Sequence, residues 1–150
     1  MHLAVIAVDK LREPFVRAGC DLYRKRLGRY YDVSVREVKP SSGRAALAHE
    51  ARALLGHVGD ADALWAFDRQ GARVDSIGLA RLLARVERSG VRRLAIAIGG
   101  ADGLHASVLE RAADVVSLSD LTFLHEIARL LVFEQLYRAV KINRGEPYHR

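Results

Sequence analysis

Apolar residues in this chain alternate between two patterns, short unbroken runs and stripes at helical spacing. Leu3 to Val8 is an unbroken run with two valines and an isoleucine, which predicts a strand buried on both faces. Phe15, Gly19, Leu22, Tyr23, Leu27 and Tyr30 then mark one face of a helix, with Arg17, Arg24, Lys25 and Arg29 turned largely from it. Val33, Val35 and Val38 predict a second strand, and Pro40-Ser41-Ser42-Gly43 a loop that is the best candidate for a mobile segment. Leu47, Ala51, Leu54, Leu55 and Val58 stripe a second helix that stops between Gly56 and Gly59. Ala63 to Phe67 is a third strand with Asp68 to Gly71 as its exit loop, and Leu79, Leu82, Leu83 and Val86 line a third helix. Leu94 to Ile98 is a fourth strand running into Gly99-Gly100-Ala101-Asp102-Gly103. Ser107 with Glu110 has capping-box spacing for a short helix, and Val115 to Leu118 is the last strand.

The last third carries the densest signal. Ser117, Ser119, Asp120 and Thr122 crowd short hydrogen-bonding side chains just ahead of a helical pattern in Ile127, Leu130, Leu131 and Tyr137. The centre of that helix, Leu130 to Phe133, is apolar on every side, so it must be covered all round, and a second copy of the chain is a candidate for the missing cover. Gly145 and Pro147 end the helix after Asn143. The tail closes on Tyr148, His149 and Arg150, side chains suited to stacking on bases or meeting phosphate.

Strands alternating with helices predict one α/β domain over residues 1–150, a mainly parallel sheet with helices on both faces. Ligands of such sheets lie at the carboxyl ends of the strands. Three strand exits qualify if their strands are neighbours: Phe67-Asp68-x-x-Gly71, Gly99-Gly100-x-x-Gly103 and Ser117-x-Ser119-x-x-Thr122.

Composition narrows the partners. The chain is 50% hydrophobic and 28% charged, the profile of a soluble globular protein. No apolar run reaches the roughly 20 residues of a membrane span, no basic leader precedes Leu3, and a lone Cys20 suits a reducing compartment, so a cytoplasmic location is expected. Cys20 reads as a structural, inert thiol. The net charge of +6 is concentrated: Lys10 to Arg44 holds ten Lys or Arg against four acids, and the remaining residues sum to zero. Such a surplus is a footprint for a polyanion, with RNA the commonest partner, and equally the mark of a solvated helix face.

Familiar chemistry is excluded or weak. The glycine spacing is neither G-x-G-x-x-G nor a phosphate loop; His49-Glu50 lacks the second histidine of a zinc protease, so no metal site is expected; and no G-x-S-x-G elbow supports a Ser-His-Asp hydrolase. The glycine loop by itself is as well explained by a tight turn, and Ser117, Ser119 and Thr122 by capping of the last helix. His125 and Glu126 are adjacent on a helix and point apart, and a structural role is expected for His125.

Several of these segments together resemble one family. They are Phe67-Asp68-x-x-Gly71, Ile98-Gly99-Gly100-Ala101-Asp102-Gly103, Ser117-Leu118-Ser119-x-Leu121-Thr122 with His125, Arg129, Glu134 to Ala139, and the ending Pro147-Tyr148-His149-Arg150. In order and over the whole chain they resemble the ribosomal large subunit methyltransferase H family of the knotted SPOUT methyltransferases. Phe67 and Leu124 depart from it, standing where members often carry Leu and Pro.

The resemblance implies a homodimer that uses S-adenosylmethionine to methylate N3 of a pseudouridine in 23S ribosomal RNA on the assembled ribosome. It implies a C-terminal trefoil knot, a topology no periodicity would suggest because threaded chains are so rare. It places the cofactor against Phe67, Gly99 and the stretch Ser119, Asp120, Leu121, Thr122, Phe123 and Leu124. An imide N3 keeps its proton at neutral pH, so a group must accept that proton or stabilise the anion, and His149, Tyr148 and Arg138 are the candidates. Arg24, Lys25, Arg29 and Arg150 become the expected RNA contacts. Two rivals remain at this level, a nonenzymatic ribosome-binding protein of the same fold and a small nucleotide-utilising enzyme on an open sheet.

Overall fold

The computed structural model describes residues 1–150 as β1 (His2–Val8), α1 (Pro14–Leu27), β2 (Asp32–Val38), α2 (Ala46–Leu55), β3 (Ala63–Arg73), α3 (Ser76–Arg88), β4 (Arg93–Ile98), α4 (Ala106–Arg111), β5 (Asp114–Ser117) and α5 (His125–Asn143). All strand pairings are parallel, in the order β2-β1-β4-β3-β5. The three inner strands are buried on both faces over Leu3–Val8, Leu64–Phe67 and Leu94–Ile98, which is why they read as unbroken apolar runs. Side chains of α1, α3 and α5 fill the core on one face, and those of α2 and α4 fill it on the other. No helix is long and apolar enough to cross a membrane.

Four expectations change. The inward stripe of α1 is Val16, Cys20 and Leu27, whereas Phe15 is 62% and Leu22 46% exposed. Two apolar stripes run side by side on this helix and share Leu27; Tyr23 and Tyr30 of the expected stripe also pack on the core, and only its Phe15 and Leu22 turn away. Gly19 lies between them at the crossing with α5, where a Cβ would stand 2.8 Å from Leu130 Cδ1.

Strand β3 does not stop at Phe67. It leaves the ladder at Asp68 and resumes at Ala72, and both Phe67 and Ala72 pair with Val116. Gly71 permits this return, because a Cβ there would lie 2.6 Å from the Val116 backbone. At α4 the cap is His105, whose Nδ1 accepts from Ser107 N at 3.1 Å, in place of the Ser107 and Glu110 box.

For α5 the cover comes largely from its own chain. It runs between α1 and α3 over the sheet, and no residue from His125 to Ile142 is fully exposed. Val132, Phe133, Leu136, Ala139 and Val140 are its buried apolar face. Gly145, at φ +64, turns the chain out of the helix, with Gly145 N donating to Ile142 O at 3.1 Å.

Candidate active site

Because β4, β3 and β5 are neighbours, their three exit loops converge at one end of the sheet. There they enclose a cavity of about 490 Å³, within the usual range for small-ligand pockets. Phe67 to Gln70, Ile98 to Leu104 and Ser117 to Phe123 line it, with His125 and Ala128 from the first turn of α5.

Each loop is fixed by its own chemistry. In the middle loop a Cβ on Gly99 would lie 2.4 Å from the Gly103 carbonyl oxygen, and Gly103 sits at φ +79, so the turn closes only on glycine. Asp68 ties this loop to the first one: Oδ1 accepts from Gln70 N at 2.9 Å and Oδ2 from Leu104 N at 3.3 Å. In the third loop Ser117 Oγ donates to the Ser119 carbonyl at 3.1 Å, and Ser119 Oγ accepts from Leu121 N at 3.0 Å. These serines shape the loop and do not cap α5, whose N-cap is Leu124 with no side-chain cap. Arg73 at the end of β3 pairs with Asp120 at 2.9 Å.

The start of α5 is anchored from beneath. Glu126 is buried and accepts from Arg12 N at 2.5 Å and Glu13 N at 3.1 Å. Burial pushes its carboxyl up, but those two backbone donors outweigh it and hold the group below the usual carboxylate range. Arg129, 2% exposed, donates to Glu37 Oε2 at 2.8 Å and to the Asp9 carbonyl at 2.5 Å. Asp9 itself stands at φ +70, the one non-glycine residue with positive φ. Its carboxyl is held low by the Arg12 guanidinium. His125 Nε2 lies 3.8 Å from Asp9 Oδ2, and that nitrogen is buried without a hydrogen-bond partner.

The family model described as a predicted SPOUT methyltransferase matches residues 1–149. The chain is a SPOUT methyltransferase. It is 42% identical to the ribosomal RNA large subunit methyltransferase H of Anaeromyxobacter sp. (strain Fw109-5), with 100% of both chains covered. It is 41% identical to the protein of the same name from Pelotomaculum thermopropionicum, covering 99% of this chain and 98% of that one. The chain therefore belongs to the ribosomal RNA large subunit methyltransferase H family. A solved structure of a probable methyltransferase from Bordetella pertussis Tohama I aligns with a TM-score of 0.59 at 13% identity, over 92% of this chain and 95% of that one, which supports the fold.

In this SPOUT methyltransferase the structure gathers most of the expected cofactor residues and separates them from the expected catalytic ones. Phe67, Gly99, Ser119, Asp120, Leu121, Thr122 and Phe123 all line the cavity. Leu124 is outside the lining and 55% exposed. Arg138, Tyr148 and His149 lie toward the other end of α5. Arg138 lies thirteen helical steps beyond His125, a rise of about 20 Å.

The tail doubles back on α5 and α1. The Tyr148 hydroxyl donates to Glu134 Oε1 at 2.8 Å and lies 3.0 Å from the Tyr23 hydroxyl. Its ring meets Tyr137 edge-on at 4.9 Å, and the Arg138 guanidinium sits 4.8 Å over it. Burial, then the Tyr23 and Glu134 contacts, push the Tyr148 hydroxyl well above its ordinary pKa, so it keeps its proton. Arg138 is paired with Glu134 at 2.6 Å, and its Nη1 is 3.4 Å from His149 Nδ1.

The SPOUT methyltransferase's basic segment divides likewise. Arg12 is spent on Asp9, whereas Arg24, Lys25, Arg29 and Arg150 are exposed and make no ion pair. Sequence reasoning does not reach the loop-tying role of Asp68 or the anchoring role of Arg129, because each acts on backbone groups far away in the chain.

Proposed function

We propose that this chain uses S-adenosylmethionine to methylate N3 of a pseudouridine in 23S ribosomal RNA on the assembled ribosome, acting in the cytoplasm as a homodimer. The cavity formed by three strand exits carries this reading, in a chain similar over its full length to proteins named ribosomal RNA large subunit methyltransferase H. Its residues fit the cofactor. Gly99 and Gly103 allow backbone groups to approach a ligand closely, and Phe67 and Leu118 supply apolar wall. Asp68, Asp102 and Asp120 give the lining a negative balance that suits a cation. S-adenosylmethionine supplies an electrophilic methyl on a sulfonium that leaves as a neutral thioether.

The chain's part is to orient the RNA base, take its proton and steady the charge. Phe67, Gly99 and the Ser119 to Phe123 loop would hold the cofactor that supplies the methyl, and the imidazole of His149 would take the N3 proton. Arg138, held cationic beside Glu134, stabilises the anionic base. Tyr148 keeps its proton and positions both neighbours. Positioning of this kind contributes up to about 7–11 kcal/mol in well-oriented systems.

Because Arg138 stands about 20 Å of helix from His125 at the cavity, and Glu134, which anchors Tyr148, about 14 Å, the tail serves the cavity of a second copy. The exposed apolar residues Phe15, Leu22, Leu121 and Leu124 supply surface for that pairing. Arg24, Lys25, Arg29 and Arg150 remain free to meet RNA phosphates.

The deciding experiment is transfer of labelled methyl from S-adenosylmethionine to ribosomes that lack this modification, with the labelled nucleotide mapped. Label on N3 of a single 23S pseudouridine, and none on free ribosomal RNA, is the expected result. Ribosome binding without label would favour a nonenzymatic protein of the same fold, and label on another base would discard the substrate.

A further inference from the structure

The lining of the cavity carries three carboxylates, Asp68, Asp102 and Asp120, and one guanidinium, Arg69. Carboxylates attract a cationic methyl donor and oppose a polyanionic substrate, so the same rim must satisfy two opposite charges. Two of the acids are already engaged, Asp68 by the backbone N–H groups of Gln70 and Leu104 and Asp120 by Arg73. Arg69 is exposed and enters no ion pair or side-chain hydrogen bond within the chain.

Its placement is fixed on both sides. The Asp68 carboxylate closes a tight turn onto Gln70 N, and Gly71 is wedged against the backbone of Val116. Between those two anchors the chain leaves the β3–β5 ladder, so Arg69 and Gln70 form the tip of a short, braced arm at the mouth of the cavity. Arg24 and Arg29 lie around the end of α1, which leads down to the amino end of β2, at the opposite end of the sheet. Arg69 is thus a free cation at the rim of the cavity.

We propose that Arg69 is a substrate contact that takes a phosphate of the RNA backbone beside the nucleotide receiving the methyl, an assignment that rests on the function proposed above. A guanidinium presents paired donors that match phosphate oxygens. It also offsets the acidic lining during approach.

The test compares unaltered protein with full-length Arg69→Gln and Arg69→Lys, measuring ribosome KM and kcat over a series of salt concentrations and S-adenosylmethionine affinity separately. Arg69→Gln is expected to raise ribosome KM about tenfold, the scale of one charge-assisted contact, with kcat and cofactor affinity within about twofold. The slope of log kcat/KM against log salt should become shallower by about 0.7–0.9, the value of one phosphate contact. Arg69→Lys should recover most of both. An unchanged ribosome KM and salt slope in Arg69→Gln would overturn the proposal. So would a parallel loss of cofactor affinity, which would make Arg69 part of the cofactor scaffold. No transfer by unaltered protein would overturn the proposed function and this inference with it.

Discussion

Replacing Gly99 by Ala tests the cradle at its tightest point. An added Cβ would stand 2.4 Å from the Gly103 oxygen, 2.6 Å from its carbonyl carbon and 3.1 Å from its Cα, all backbone atoms. A carbon and a carbonyl oxygen in close contact rest at about 3.3 Å, so the facing strand of the turn must retreat by about 0.9 Å. It cannot retreat alone, since Gly103 N donates to Gly100 O and the next amide, Leu104 N, to Asp68. The strain therefore reaches the first loop.

Overpacking of this kind costs about 1–3 kcal/mol, and a domain of this size loses about 2–4 °C of melting temperature per kcal/mol. A fall of about 2–12 °C is expected, together with at least a tenfold loss of S-adenosylmethionine affinity, since two walls of the cavity move. Trp65, the sole tryptophan and fully buried on β3, reports unfolding by fluorescence, and calorimetry reports affinity. Protein concentration is held constant because a dimer's stability depends on it. Gly90→Ala is the control: it has φ +77, open space around it and no place in the cavity, so it should lose stability and keep affinity. Gly99→Ala binding cofactor within about twofold and melting within about 1 °C of the parent would refute the reasoning.

Three further outcomes follow from the geometry. The Glu126 carboxyl is held below its unfolded value, so its contribution is present at neutral pH and disappears as pH falls through the folded value; Glu126→Gln should flatten the acid limb of stability in urea titrations between pH 3 and 7, and an unchanged limb would show that its two backbone donors contribute little. If each site draws its tail from the other chain, mixing inactive His149→Ala with Gly99→Ala subunits, at a cofactor concentration too low to load the latter, should restore about a quarter of parental activity after subunit exchange, whereas no recovery would place tail and cavity in one chain. Reversing Arg24, Lys25 and Arg29 to Glu should weaken ribosome binding steeply at low salt and leave cofactor affinity unchanged, as read by sedimentation with ribosomes.

The parallel α/β order is legible because buried strands announce themselves as unbroken apolar runs, and the three exit loops are legible from strand order alone. The errors share a physical origin. Periodicity says which residues are apolar and cannot say which members of two adjoining stripes meet the core, so Phe15 and Leu22 on α1 were assigned inward while Val16 and Cys20 do the packing. The continuation of β3 to Arg73 depends on Gly71 meeting Val116, a contact between segments more than forty residues apart. The separation of the tail from its own cavity was also hidden, since it follows from the length and direction of α5 and not from any motif.

The detour in β3 has a consequence for how this fold can vary. A segment that leaves the ladder beside Val116 and rejoins it beside the same residue adds chain without advancing the register. Residues can therefore be inserted or removed between Asp68 and Gln70 while every side chain of β5 keeps its partner and its face, provided Gly71 still closes the return. Sheet architecture and substrate-facing arm are thus decoupled. The rim of the pocket is free to change its length and charge without the core having to change with it.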